Sequence, residues 1–126
     1  MSRMRTPESR VRGLGSAHHG AAHWWMQRLT ALALIPLALW FVSYVCVTVG
    51  LDYKAATAAM HRPVNAILLV LLIGAALHHG QLGLQVVIED YVHTEGTKVA
   101  LIVLVKFAAF ALGVAAAFAV LKVAFA

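Results

Sequence analysis

Charged residues are scarce in this chain of 126 residues, in which Asp, Glu, Lys and Arg make up 12% against 62% apolar residues. Ordinary soluble domains carry about 25% charged and about 45–50% apolar residues. A chain long enough for only one domain has too little interior to hide the excess apolar surface. The composition therefore argues against a soluble enzyme and a disordered chain. The net charge of +5 does not indicate a nucleic-acid partner, because little solvent-facing surface remains to carry a basic patch.

Cysteine is nearly absent, since Cys46 is the only one and lies in an apolar run. The sequence therefore has neither a disulfide framework nor a paired-cysteine metal site. What it has instead is long runs with few or no charges. Residues 29–51 and 64–88 contain no Asp, Glu, Lys or Arg, and residues 99–126 contain only Lys106 and Lys122. Each run exceeds the about 20 residues that a helix needs to cross a bilayer.

Backbone groups in lipid must form their hydrogen bonds within their own segment, which favours helices. The sequence therefore predicts an all-α membrane protein with three transmembrane helices, at about residues 26–51, 64–92 and 98–125. These helices form one domain over residues 23–126, and residues 1–22 are predicted to be a mobile cytoplasmic extension. Lys106 lies about two turns into the third helix, so its long stem can carry the ammonium group toward the lipid headgroups.

The basic residues predict the orientation of these helices. Six of them precede the first helix or separate the second from the third, and three lie on the opposite side. The first group is Arg3, Arg5, Arg10, Arg12, Arg28 and Lys98, and the second is Lys54, Arg62 and Lys122. Because Lys and Arg are enriched in cytoplasmic flanks, the N-terminus is expected in the cytoplasm and the C-terminus in the periplasm.

The deepest polar residues lie in the second predicted helix, which contains His78, His79, Gln81 and Gln85. Such residues are expensive in a membrane and are functional candidates by default. Gly83 follows His79 by one helical turn, on the same face. Neutral imidazole is a good ligand for haem iron, and the glycine leaves room for a flat macrocycle. The alternative is that the histidine only forms a hydrogen bond to a neighbouring helix.

Further candidates lie near the membrane surface. Asp90 follows His79 by three turns on the same stripe, and Tyr91 is next to it. The phenol could donate a hydrogen bond to a quinone carbonyl, although a polar helix end with an interfacial tyrosine is the simpler interpretation. The forked guanidinium of Arg28 suits a carboxylate such as a haem propionate, or it could serve only as a positively charged anchor. No histidine lies in the other two apolar runs, so a six-coordinate haem would need its second ligand from another chain.

Two stretches together resemble the D-type membrane anchor of bacterial and mitochondrial succinate dehydrogenase. Residues 79–93 read HGQLGLQVVIEDYVH, and residues 24–31 read WWMQRLTA. The family pattern is an axial histidine, a glycine one turn later and an Asp-Tyr pair three turns on, with an Arg-x-Thr-Ala start to the first helix. The resemblance covers residues 22–93. The doublet His78–His79 departs from the pattern, and His23 lies one position out of register with the family's N-terminal histidine.

The resemblance implies that His79 is an axial ligand of haem b and that the other ligand comes from the second membrane anchor of the complex, its cytochrome b anchor. It also implies that Tyr91 bonds ubiquinone with Asp90 beside it, and that Arg28 lies near the haem propionates. The flavoprotein would oxidise succinate, and the iron–sulfur protein would pass electrons to the quinone, in the tricarboxylic acid cycle. This chain would then be a non-catalytic, multi-pass anchor in the bacterial inner membrane.

Other functions stay open on the sequence alone. A quinol:fumarate reductase anchor would use much the same residues. A structural or assembly subunit without a cofactor would use its histidines for hydrogen bonds between helices. A small oligomeric transporter would show polar residues shared among its spans, whereas here they are concentrated in one helix.

Overall fold

The computed structural model describes residues 20–126, which form four α-helices and no strand. In chain order these are α1 (Gly20–Thr48), α2 (Tyr53–Met60), α3 (Pro63–Tyr91) and α4 (Glu95–Ala124). Three of them, α1, α3 and α4, are long and apolar enough to span a membrane. This confirms the prediction of three spanning helices. The predicted extension lies outside the described residues except for residues 20–22, which belong to α1.

The short helix α2 was not predicted. It begins after Asp52, whose carboxylate accepts a hydrogen bond from the backbone N–H of Ala55 at 2.8 Å. This is a standard N-terminal cap, which satisfies one of the free N–H groups at a helix start. The side-chain amide of Asn65 donates to the carbonyl of Ala59 at 2.8 Å and so ties the end of α2 to the first turn of α3.

Helix α1 ends at a turn that needs a glycine. Gly50 has a φ of +94°, in the left-handed region that is unfavourable for residues with a side chain. The backbone N–H of Leu51 bonds to the carbonyl of Thr48 at 3.1 Å, which closes the turn. Glycine in this conformation commonly terminates helices. The chain can therefore reverse direction between α1 and α2.

Helix α3 is the centre of the bundle, because it packs against both α1 and α4, which have no Cα atoms within 8 Å of each other. The buried residues of the described chain are Ala66, Leu69, Gln81 and Leu82, all of them in α3. Gly113 of α4 allows close approach, since a Cβ atom there would lie 3.4 Å from Leu77 Cδ1. Small residues commonly serve this purpose between membrane helices.

The outer faces of the helices are apolar. Phe107, Phe110 and Phe118 of α4 are each about 70% exposed, at 70%, 72% and 68%. Apolar surface of this extent is not tolerated by a monomer in water. In a bilayer it lies against lipid or against other membrane proteins.

Candidate functional site

His79 faces α1. Its ring nitrogen Nδ1 lies 3.0 Å from the hydroxyl of Thr30, and the ring is half-buried between the two helices. The same hydroxyl lies 2.7 Å from the carbonyl oxygen of Met26 and 3.1 Å from that of Gln27. Among the described residues, nothing forms a hydrogen bond with the other ring nitrogen, Nε2.

Gly83 lies one turn beyond His79 on the side of α3 that faces α1. A Cβ atom built there would lie 3.7 Å from the amide nitrogen of Gln27, an ordinary van der Waals contact. The packing of the described chain thus leaves space for a methyl group at this position. The glycine is not required by the contact between α1 and α3.

Three polar residues of α1, spaced four and three positions apart, lie on the half-buried face of the helix: His23, Gln27 and Thr30. His23 Nε2 and Gln27 Oε1 are buried without a hydrogen-bond partner among the described residues. A buried polar atom without a partner costs about 1–3 kcal/mol. Two such atoms on one face indicate that a group outside the described chain completes this region. Sequence reasoning missed Gln27 and gave Thr30 no individual role, although their helical spacing was visible.

A cavity of about 490 Å³ lies between the start of α1, the second half of α3 and the first half of α4. It is lined by Gly20, His23, His78, Gln81, Leu82, Gln85, Glu89 and Lys106. His78 therefore faces a different environment from His79, as expected for neighbouring residues of a helix. Lys106, expected to reach toward headgroups, lies at the wall of this cavity with an exposed side chain.

A row of side-chain hydrogen bonds runs along α3 toward its end. Gln81 donates to Gln85 at 3.3 Å, and Gln85 donates to Glu89 at 2.8 Å. These residues are four positions apart and so lie on one face of the helix. The sequence indicated Gln81 and Gln85 as part of the deep polar set, but not the link to Glu89.

The other predicted site residues are not brought together with His79. The Arg28 guanidinium lies over the ring of Trp24, 5.0 Å from its centroid, a cation–π contact. Asp90 and Tyr91 are exposed at the end of α3, Tyr91 by 78%. None of the three lines the polar cavity. All three side chains are exposed in the described part of the chain, so groups from outside this chain can reach them.

The chain matches the family model described as succinate dehydrogenase/fumarate reductase transmembrane subunit over residues 2–113. A Rickettsia bellii protein named succinate dehydrogenase hydrophobic membrane anchor subunit is 35% identical over 97 residues, covering 77% of this chain and 78% of that protein. A Paracoccus denitrificans protein of the same name is 33% identical over 102 residues, covering 81% and 79%. A Reclinomonas americana protein named succinate dehydrogenase membrane anchor subunit is 30% identical over 90 residues, covering 69% and 75%. No solved structure matches this chain significantly.

The three long apolar helices make this chain a multi-pass integral membrane protein. By the extent of the family match, it belongs to the succinate dehydrogenase/fumarate reductase transmembrane subunit family. The resemblance based on residues 22–93 is thereby confirmed at the level of the family.

Proposed function

We propose that this chain is the D-type hydrophobic membrane anchor of a succinate:ubiquinone oxidoreductase in the bacterial inner membrane. The observation that carries the anchor role is the match to relatives with that name over 77% or more of each chain. Its partners are the flavoprotein, the iron–sulfur protein and the second membrane anchor, which is the cytochrome b anchor. The excess of basic residues before and at the start of α1, together with Lys98 at the start of α4, supports an N-terminus in the cytoplasm. The chain has no catalytic activity alone.

Within this complex, His79 would ligate the iron of haem b. Its Nδ1 is occupied by Thr30, which leaves Nε2 for the iron, and an imidazole nitrogen is a suitable ligand. Gly83 is not required by the packing of α1 against α3, which is consistent with a role toward a group from outside the described chain. When bound, the haem supplies a one-electron redox centre. Neither α4 nor the part of α1 beyond His23 contains a histidine, and the resemblance to the family implies that the second ligand comes from the cytochrome b anchor.

The end of α3 contributes two side chains to the quinone site. The phenol of Tyr91 donates a hydrogen bond to a carbonyl of ubiquinone, and the carboxylate of Asp90 accepts protons or orients water beside it. Both side chains are exposed in this chain and available to a ligand bound against a partner protein. Arg28 pairs with a haem propionate through its planar guanidinium group. In the chain alone this group is held over Trp24.

The test is a dithionite-reduced-minus-oxidised visible spectrum of the purified complex with all of its protein components. His79→Ala is expected to abolish the low-spin b-type signal or convert it to high spin. His78→Ala is the matched control, because it removes the neighbouring imidazole, and it is expected to retain the low-spin signal. An unchanged low-spin spectrum in an assembled His79→Ala complex would exclude His79 as the ligand.

A cofactor-free anchor is the second candidate function, and the bond between Thr30 and His79 favours it, because that bond is the interhelical contact such an anchor would need. The same spectrum distinguishes the two. Absence of haem from the assembled wild-type complex would support the cofactor-free anchor. The family description also includes fumarate reductase, and comparing the rates of succinate oxidation and fumarate reduction by the complex distinguishes these two directions.

A further inference from the structure

We infer that Thr30 is a positioning residue for His79: its hydroxyl accepts a hydrogen bond from the Nδ1–H group and keeps Nε2 free as the nitrogen that faces the iron. The inference rests on the proposed function, since it concerns the same haem ligand. It adds a residue of α1 to a site whose iron-binding histidine lies on α3. Its basis is the set of three short contacts around one hydroxyl oxygen.

The number of protons available determines the direction of the bond. A threonine hydroxyl has one proton to donate and two lone pairs that accept. The carbonyl oxygens of Met26 and Gln27 can only accept, and they lie 2.7 and 3.1 Å from the hydroxyl oxygen. The hydroxyl proton is therefore used within α1, most strongly toward Met26. The contact of 3.0 Å to His79 then requires a proton on Nδ1.

This arrangement selects one tautomer of the neutral ring. An imidazole with its proton on Nδ1 has its lone pair on Nε2. Histidines that bind metals usually donate their other N–H to a fixed acceptor, which orients the ring and makes the ligating nitrogen more basic. Thr30 is such an acceptor. The ring of His79 is half-buried, so water competes less for this hydrogen bond.

Thr30 is also held in place itself. Its side chain bonds to the backbone one turn earlier, a common conformation of threonine within helices, and its branched Cβ restricts rotation. The hydroxyl is thus presented to α3 at a fixed position. Thr48, near the other end of α1, makes the same backbone contact, 2.8 Å to the carbonyl of Tyr44, but has no side-chain partner among the described residues. It provides a matched control.

The experiment compares Thr30→Val, Thr30→Ser and Thr48→Val in the complete complex, by redox titration of the haem and by its occupancy relative to protein. Thr30→Val has nearly the same shape without the hydroxyl. It is expected to raise the midpoint potential, because a less basic ligand stabilises the ferric iron less, and to weaken haem retention about 10-fold. Thr30→Ser and Thr48→Val are expected to match the wild type. If Thr30→Val does not assemble, Thr30→Ala removes the same hydroxyl and carries the test.

His79→Ala, measured in parallel, separates this inference from the proposed function. Loss of the low-spin signal in His79→Ala together with an unchanged potential and occupancy in Thr30→Val would overturn only the role of Thr30. A Thr30→Ser complex as impaired as Thr30→Val would overturn it as well, because the hydroxyl would then not be the relevant group. Retention of the low-spin signal in His79→Ala would overturn the haem ligand and the positioning residue together.

Discussion

The two halves of α3 pack in different ways. In the first half, Ala66 and Leu69 are buried, and Asn65 has a partner within the chain. In the second half, His79 bonds to α1, and Gln81 is the buried polar residue. The two unpartnered buried atoms, His23 Nε2 and Gln27 Oε1, also lie beside this second half. The side-chain amide of the first half is therefore bonded within one chain, whereas the second half lies beside buried polar atoms that have no partner among the described residues.

The largest expected effect comes from placing a polar side chain at Leu69, which is buried in the first half of α3. Leu69→Asn places an amide at a position of α3 that is 7% exposed and now holds an apolar side chain, which costs about 3 kcal/mol. We expect a marked loss of assembled complex and a lower thermal unfolding temperature in detergent. The haem spectrum of the complex that does assemble should be unchanged, because the site lies in the other half.

The control for that variant is Leu69→Met, which nearly conserves the volume and should cost less than about 1.5 kcal/mol. A Leu69→Asn complex as stable as the wild type would contradict the view that Leu69 is packed in an apolar environment. An altered haem spectrum would contradict the separation between the two halves.

The next effect concerns Gln27, whose side-chain oxygen is buried without a partner in the described chain. We expect Gln27→Leu to destabilise the assembled complex by about 1–2 kcal/mol, because a donor of a partner protein or cofactor would lose its acceptor. Gln85→Leu is the comparison for a loss within one chain, since the amide of Gln85 accepts from Gln81 and donates to Glu89 within α3. Thermal unfolding of the two complexes is the measurement. Equal or higher stability of Gln27→Leu would show that its oxygen has no partner in the complex.

The position of the spans could be predicted well, because the number of apolar residues needed to cross a bilayer is fixed by its thickness. The predicted helices at 26–51, 64–92 and 98–125 correspond to α1, α3 and α4, and the largest difference is the earlier start of α1 at Gly20. Helix α2 was missed because eight residues are too few to give a hydropathy signal. Its evidence was the capping residue Asp52.

The partners of the site residues could not be predicted from the sequence. Periodicity shows that His79 and Gly83 share a face, but not that this face meets Thr30 and Gln27. In a soluble helix the contrast between apolar and polar faces would show which side packs inward. Here lipid is as apolar as the interior, so most of α1 and α4 is apolar on every side and the contrast is weak. The roles proposed for Arg28, Asp90 and Tyr91 also depend on groups outside this chain.

A smaller effect is expected at the end of α3. Tyr91→Phe removes one hydrogen bond to the quinone, worth about 1 kcal/mol, which corresponds to a roughly fivefold higher KM for ubiquinone. Succinate oxidation with a soluble dye as acceptor should not change, because the flavoprotein is untouched. Tyr53→Phe is the control, as Tyr53 is similarly exposed, by 85%, at the start of α2. An unchanged KM in Tyr91→Phe would show that the hydroxyl of Tyr91 forms no hydrogen bond with the quinone.

The smallest effect is expected at Lys98, which forms an ion pair of 3.0 Å with Glu95 in the first turn of α4. Exposed pairs of this kind contribute about 0.2–1 kcal/mol, and Glu95 remains mostly in solvent with 82% of its side chain exposed. Lys98→Gln should therefore shift the free energy of unfolding by less than about 0.5 kcal/mol.

The same variant tests the orientation in the membrane. Reporter fusions at the C-terminus of Lys98→Gln should still place it in the periplasm, because Arg28 and the four arginines near the N-terminus keep the excess of basic residues on the cytoplasmic side. An inverted topology would show instead that the positive charge of Lys98, at the start of α4, determines the orientation.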